Sequence, residues 1–244
     1  MAKRIVSFFP VHTCYVEPFF GAGWVLFEKT PSQHEIINDI NGDLMIFWNV
    51  VKTQADALYE SMKWDIPSRQ IHENLRQTNP ESLSDIERAR RVYWLIKGSF
   101  GGIYSGVFGT GRESPNRMAF NTFEARLKAA NMRLKQVTIE CKDYRRLARI
   151  YDHVTTLWYC DPPYFETAKS GYAADIDLRE FSEFCKSLKG KVAVSHMYNE
   201  TVAELFRNWN FIELGERQIC IANNGRAETR GQKSREWLIT NYQL

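Results

Sequence analysis

The stretch Cys14-Tyr15-Val16-Glu17-Pro18-Phe19-Phe20-Gly21-Ala22-Gly23, followed by Glu35-Ile36-Ile37-Asn38-Asp39, decides the fold. Cys14 to Glu17 reads as a short strand, Pro18 to Gly23 as a glycine-bearing loop and Trp24 to Glu28 as the start of a helix. Glu35 to Asp39 reads as a second strand, with an apolar helix after it from about Asp43 to Lys52. Strand, glycine loop, helix and a strand closing on an acid form the βαβ pattern of a nucleoside-binding half. The loop lacks the third glycine of a dinucleotide fingerprint, which demotes an oxidoreductase reading.

Working outward, residues 53–135 look mainly helical. Ser82-Leu83-Ser84-Asp85 resembles a capping box with Asp replacing the usual Glu, and Ile86, Ala89, Val92, Tyr93 and Ile96 recur at helical spacing. A long glycine-rich loop spans Gly98 to Asn121, and Thr122 is a candidate cap for a helix reaching Arg133. A loop of that length is usually either functional or disordered. Alternation then resumes, with strands expected at 136–140, 154–160, 191–195, 211–214, 218–222 and 236–240 and helices at 144–150, 178–188 and 200–209. The middle is thus an insertion in an α/β sheet, giving a catalytic part of 1–52 with 136–244 and an inserted lobe of 53–135.

Acids fall at the ends of successive predicted strands: Glu17, Asp39 and Asp143. In open α/β sheets that edge binds ligands. Glu17 can accept from a cationic amine, the glycines admit a ligand close to the backbone, and Asp39 can hold ribose hydroxyls, or Glu17 and Asp39 can simply cap helices. Asp143 can accept from an adenine amine beside the Tyr144 ring, or it can cap the helix that follows.

A fourth acid opens Asp161-Pro162-Pro163-Tyr164 at the exit of the 154–160 strand. Proline fixes its own φ and keeps the residue before it out of the α region, so Asp161 is held out from the sheet. A carboxylate, a carbonyl and an aromatic ring there suit a planar base bearing an exocyclic amine. The bland alternative is a Pro-Pro turn with Asp161 as a helix cap.

Composition sets wide bounds. The 244 residues, 44% hydrophobic and 25% charged, are those of an ordinary globular chain with one sizeable core. No apolar run is long enough for a membrane helix, and the basic N-terminal stretch is too short for a signal peptide. The five cysteines are odd in number and form no C-x-x-C pair, so reduced thiols in a cytosolic protein are expected and no metal site. A net charge of +3 is compatible with a nucleic-acid partner.

Taken together, Tyr15 to Gly23, Asn38-Asp39-Ile40-Asn41, Asp143-Tyr144 and Asp161-Pro162-Pro163-Tyr164 resemble the Dam-type (D12 class) DNA adenine-N6 methyltransferase family. Looser matches are Gly102-Ile103-Tyr104, Val192 to Ser195 and Glu236-Trp237-Leu238. The resemblance implies a class I S-adenosylmethionine-dependent fold, a mostly parallel twisted sheet with a C-terminal antiparallel strand. It implies methyl transfer to the N6 amine of a flipped adenine in double-stranded DNA. Asp161, Pro162 and Tyr164 would hold the target base. Glu17, Phe19, Gly21 and Gly23 would line the methionine side of the cofactor, Asp39 its ribose, and Asp143 with Tyr144 its adenine. The inserted lobe would recognise the target. Phosphate contacts are expected from Arg112, Arg117, Arg226, Arg230 and Lys233, with Arg126, Lys128 and Arg133 read as a solvated helix face. A monomer is expected.

Members of the family usually carry an aromatic-x-Gly-Gly-Lys-like stretch ahead of the first strand, whereas this sequence starts within what would be the next helix, near Lys3-Arg4-Ile5-Val6. Two alternatives therefore stay beside the main reading. One is a DNA-binding relative impaired in cofactor binding. The other is an N-methyltransferase of the same fold acting on RNA or another amine.

Overall fold

Seven strands make one sheet in this computed structural model, which describes residues 1–99, 104, 106–109, 118, 122–163, 176–218 and 233–243. In chain order the elements are α1 (Ala2–Val6), β1 (Cys14–Glu17), α2 (Trp24–Glu28), β2 (His34–Asn38), α3 (Gly42–Thr53), α4 (Ala55–Met62), α5 (Arg69–Gln77) and α6 (Asp85–Gly98). They continue as α7 (Phe123–Leu134), β3 (Val137–Glu140), α8 (Tyr144–Tyr151), β4 (Thr156–Cys160), α9 (Leu178–Ser187), β5 (Lys191–Met197), α10 (Glu200–Leu205), β6 (Asn210–Gln218) and β7 (Lys233–Thr240).

Strand order is β3-β2-β1-β4-β5-β7-β6. Every pairing from β3 to β5 is parallel, while β7 runs antiparallel to both β5 and β6. The order reverses between β1 and β4, which creates a topological switch point at the carboxyl edge of the sheet. All five residues of β4 are buried, as expected for a parallel strand covered on both faces. One face packs Val16, Ile36, Trp158, Val192 and Ile239 against Leu147 of α8, Phe181 of α9 and Phe206 just past α10. Each such fully buried apolar side chain contributes about 2 kcal/mol.

The helical middle packs as a second unit from Gly42 to Lys135. α3, set with the catalytic part in the sequence reading, belongs to this unit because Leu44, Met45, Trp48, Val50 and Val51 are its buried residues and α6 its main neighbour. Asn131 of α7 donates to the carbonyls of Val51 and Lys52 (3.0 and 2.8 Å), satisfying acceptors that the end of α3 leaves open.

Several local expectations need correction. The capping box is Ser84 with Glu87, not Ser82 with Asp85, because Pro80–Ser82 is occupied by a 3-10 turn. Thr122 precedes α7 without a side-chain cap bond. Val154 and Thr155 lie in a turn, so β4 starts at Thr156, and α10 stops at Leu205. The strand expected at 211–214 runs on as β6 to Gln218, carrying a bulge between Glu213 and Gly215, and residues 219–222 of the strand expected at 218–222 lie outside the described residues. Gly215 sits there at φ 113°, a conformation open to glycine, and Arg4 of α1 donates to the adjacent Leu214 carbonyl (3.1 Å). The four cysteines among the described residues are free thiols, and Cys220 lies outside them. Among the described residues no helix is long and apolar enough to cross a membrane.

Candidate active site

The edge at the switch point is assembled by one amide. Asn38, the last residue of β2, is buried. Its Nδ2 donates to the carbonyls of Pro18 and Lys142 (both 2.9 Å), and its Oδ1 accepts from the Lys142 amide (2.8 Å). Its own carbonyl accepts from Phe20 N–H (2.8 Å). The loops leaving β1 and β3 are thereby fixed to the end of β2. Next to it, Asp39 accepts from the amides of Gly21 and Asn41 (both 3.0 Å), which holds the glycine loop down.

Two glycines let that loop turn. Gly21 and Gly23 adopt φ of 48° and 69°. A methyl group on Gly23 would collide with the Phe20 ring, whereas one on Gly21 would meet no atom of the described residues within 4 Å. The loop is closed below by Phe20 and, among the described residues, open above Gly21. Phe19 lies against Tyr144 and Phe181, ring centroids 5.2 and 5.8 Å away, so the β1 loop and α8 share an aromatic floor.

The four acids stand in different states. Glu17 is 2% exposed, and burial pushes its carboxyl up to about 8. The Tyr15 hydroxyl donates to its Oε2 (2.8 Å) and opposes that rise, and the Asp161 charge adds to it. Asp39 is raised by burial, against its backbone donors. Asp143 is lowered by Arg145: it caps α8 by accepting from Arg145 N–H (2.9 Å), and Arg145 Nη2 donates to its other oxygen (2.7 Å). Asp161 leaves β4 half-buried, followed by buried Pro162. Beneath it, Tyr159 shares a 2.8 Å hydrogen bond with Ser195 of β5.

An acid-lined carboxyl edge with a glycine loop at a switch point is an arrangement that sequence comparison can test. The profile described as D12 class N6 adenine-specific DNA methyltransferase matches residues 1–218. The chain belongs to the D12 class N6 adenine-specific DNA methyltransferase family. It is 28% identical to the Type II methyltransferase M.MjaIII of Methanocaldococcus jannaschii over 93% of this chain and 88% of that one. It is 28% identical to the DNA adenine methylase of Vibrio cholerae, over 61% of this chain and 55% of that one. With the DNA adenine methylase of Escherichia coli the identity is 28% over 64% and 57%. The observed sheet is that of a class I methyltransferase fold, and the family's reaction is methylation of adenine N6 in DNA, which requires a methyl donor.

For this adenine-specific DNA methyltransferase, Glu17, Phe19, Gly21, Gly23, Asp39, Asp143, Tyr144, Asp161 and Pro162 all lie at the one carboxyl edge. Tyr164, Arg112, Arg117, Arg226 and Arg230 lie outside the described residues. Lys233 is the first residue of β7, which enters the sheet antiparallel and therefore at the same edge. Asn38 and Tyr15 were given no role at the sequence level. A buried amide closing an otherwise apolar strand is a signal for the first. Nothing short of the fold shows that the Tyr15 hydroxyl meets Glu17.

Proposed function

We propose that the chain transfers a methyl group from S-adenosylmethionine to the N6 amine of an adenine turned out of double-stranded DNA. The observation that carries this reading is the pair of acids that the parallel β1–β4 pairing sets at the carboxyl edge on either side of the switch point: Glu17 at the end of β1, and Asp161 just past β4, whose charge adds to the rise of Glu17. The residues fit the donor. Glu17 is a buried carboxylate able to pair with an ammonium, and Gly21 and Gly23 turn the loop at φ of 48° and 69° so that a ligand can approach its backbone. S-adenosylmethionine supplies a methyl group on a cationic sulfur. In this reading Glu17, Phe19, Gly21 and Gly23 take its methionine end, Asp39 its ribose, and Asp143 with Tyr144 its adenine.

Asp161 and the Pro162 carbonyl accept the two N6 hydrogens of the target base. That draws the nitrogen lone pair out of conjugation with the ring and aims it at the methyl carbon. A carbon–nitrogen bond forms as the carbon–sulfur bond breaks, and Asp161 can take the proton that N6 then sheds. The remaining contribution is alignment, with nitrogen and carbon held about 3 Å apart before transfer. Tyr164 stacks on the base, which must leave the duplex for its amine to be reached. Arg112, Arg117, Arg226, Arg230 and Lys233 bind phosphates, and the helical unit reads the target sequence.

The test is incubation of duplex DNA with isotopically labelled donor, followed by mass spectrometry of the nucleosides. Labelled N6-methyladenine from the wild type, and none above background from Asp161→Asn, is the expected result. Label in cytosine, or in RNA at an equal rate, would overturn the reading.

A further inference from the structure

Tyr15 is wholly buried in the first strand, yet it carries a polar hydroxyl. Residues i and i+2 of a strand share a face, which brings that hydroxyl to Glu17 Oε2 at 2.8 Å. The ring is seated from several sides. Lys29 Nζ lies 4.6 Å from its centroid, and the Phe9 and His12 rings lie at 6.0 and 6.1 Å. Lys29 is itself buried and fixed by Glu35 Oε1 (2.6 Å), Ser32 Oγ (2.8 Å) and the Thr30 carbonyl (2.7 Å). Ser32 Oγ in turn meets His12 Nε2 at 2.9 Å. A buried ion pair is expensive to build and is often replaceable by apolar side chains. Its position under an aromatic ring that touches a site carboxylate calls for a reason beyond stability.

We propose that Tyr15 is a positioning residue. Seated on the Lys29–Glu35 pair, its hydroxyl holds one oxygen of Glu17 and leaves the other presented to the cationic amine of the methyl donor. This rests on the assignment of Glu17 to that amine. A donor bonded to a carboxylate favours the ionised form, so Tyr15 also keeps Glu17 chargeable despite burial. The other groups facing Glu17 are Asp161, which opposes ionisation, and Lys29 and the Leu26 amide, which favour it. Glu17 also acts on Tyr159 of β4. Binding a cation at a protonated Glu17 must expel its proton, so donor affinity should fall as pH drops below about 8.

The experiment is titration calorimetry of S-adenosylmethionine into wild type, Tyr15→Phe, Glu17→Gln and the double variant, from about pH 6 to about pH 9. Thermal unfolding of each variant reports its fold. Tyr15→Phe is expected to bind about tenfold more weakly near neutral pH. Its loss of affinity with falling pH should begin at higher pH than in the wild type. In the Glu17→Gln background the Tyr15 change should have no further effect. Tyr15→Phe binding like wild type at every pH, or losing the same factor with Gln at 17, overturns the proposal. Wild-type affinity in Glu17→Gln would instead overturn the assignment of Glu17, and with it the premise. The two failures are therefore distinguishable.

Discussion

Glu17 at the sheet edge and the half-buried acids Asp43 and Asp65 of the helical unit are held in opposite ways. In the helical unit Asp43 accepts from Arg88 Nε (3.0 Å) and Nη2, from Arg91 (3.4 Å) and from the Tyr104 hydroxyl (2.8 Å). Arg91 also donates to Tyr104 (2.7 Å) and to the Leu75 carbonyl (2.8 Å), which ties α3, α5 and α6 together. Asp65 likewise accepts from Arg90 Nε and Nη2 (2.9 and 2.8 Å) and from Trp94 Nε1 (2.7 Å). Glu17 at the sheet edge, more deeply buried than Asp43, feels a second carboxylate, Asp161, and among the described residues Lys29 rather than an arginine is the cation that acts on it. Carboxylates ringed by cations hold helices in place. A carboxylate buried beside another acid is held in an unfavourable state that a cationic ligand would relieve.

The contrast can be broken most forcefully at Asp161. Asp161→Asn keeps the shape and removes the acceptor charge, and kcat should fall about 10³-fold, measured by methyl transfer to duplex DNA. A smaller loss than tenfold would remove Asp161 from the chemistry. Next in size is Asp43→Asn, which strips Arg88 and buried Arg91 of their partner. Stability should drop by about 3 kcal/mol in urea denaturation, while donor affinity of the folded protein stays unchanged. A changed affinity with unchanged stability would invert the roles given to the two regions.

Glu17→Gln should do the reverse of Asp43→Asn, weakening donor binding and strengthening the fold. The folded Glu17 carboxyl lies above its ordinary 4.5, at about 8. Its contribution to stability is therefore complete below the ordinary value and lost as pH rises through about 8. Gln removes that loss, so the melting temperature of the ligand-free protein should rise at pH 8, with the gain vanishing toward pH 5. Differential scanning calorimetry at the two pH values checks it, and a lower melting temperature at pH 8 would contradict the assigned burial cost. The smallest effect belongs to Asp143→Ala. It removes the α8 cap and the Arg145 contact, for about 1 kcal/mol in the same melts.

Much of this was legible in local sequence. The run from Tyr15 to Gly23 and the ends of β2 and β4 carry their own signals: apolar strands, a glycine loop that must take positive φ, and prolines that stop a strand. The four acids could be set on one edge because parallel strands joined by helices all point the same way. What escaped were contacts between distant residues. Asn38 meets Lys142 across 104 positions, and Arg4 meets Leu214 across 210. The β6 bulge was read as a break because Gly215 interrupts the alternation that identifies a strand. The capping box was displaced by two residues because Ser82 and Ser84 offer the same chemistry, and only the 3-10 turn before Leu83 decides between them.

The central claim is that the edge built around Glu17 takes the methyl donor. Titration calorimetry of S-adenosylmethionine into the wild type and Glu17→Gln, run in two buffers of different ionisation enthalpy near pH 7, tests it most directly. The account predicts micromolar binding by the wild type with a proton released, and binding at least tenfold weaker without that release in Glu17→Gln. Equal affinity and equal proton release in the two proteins would contradict it.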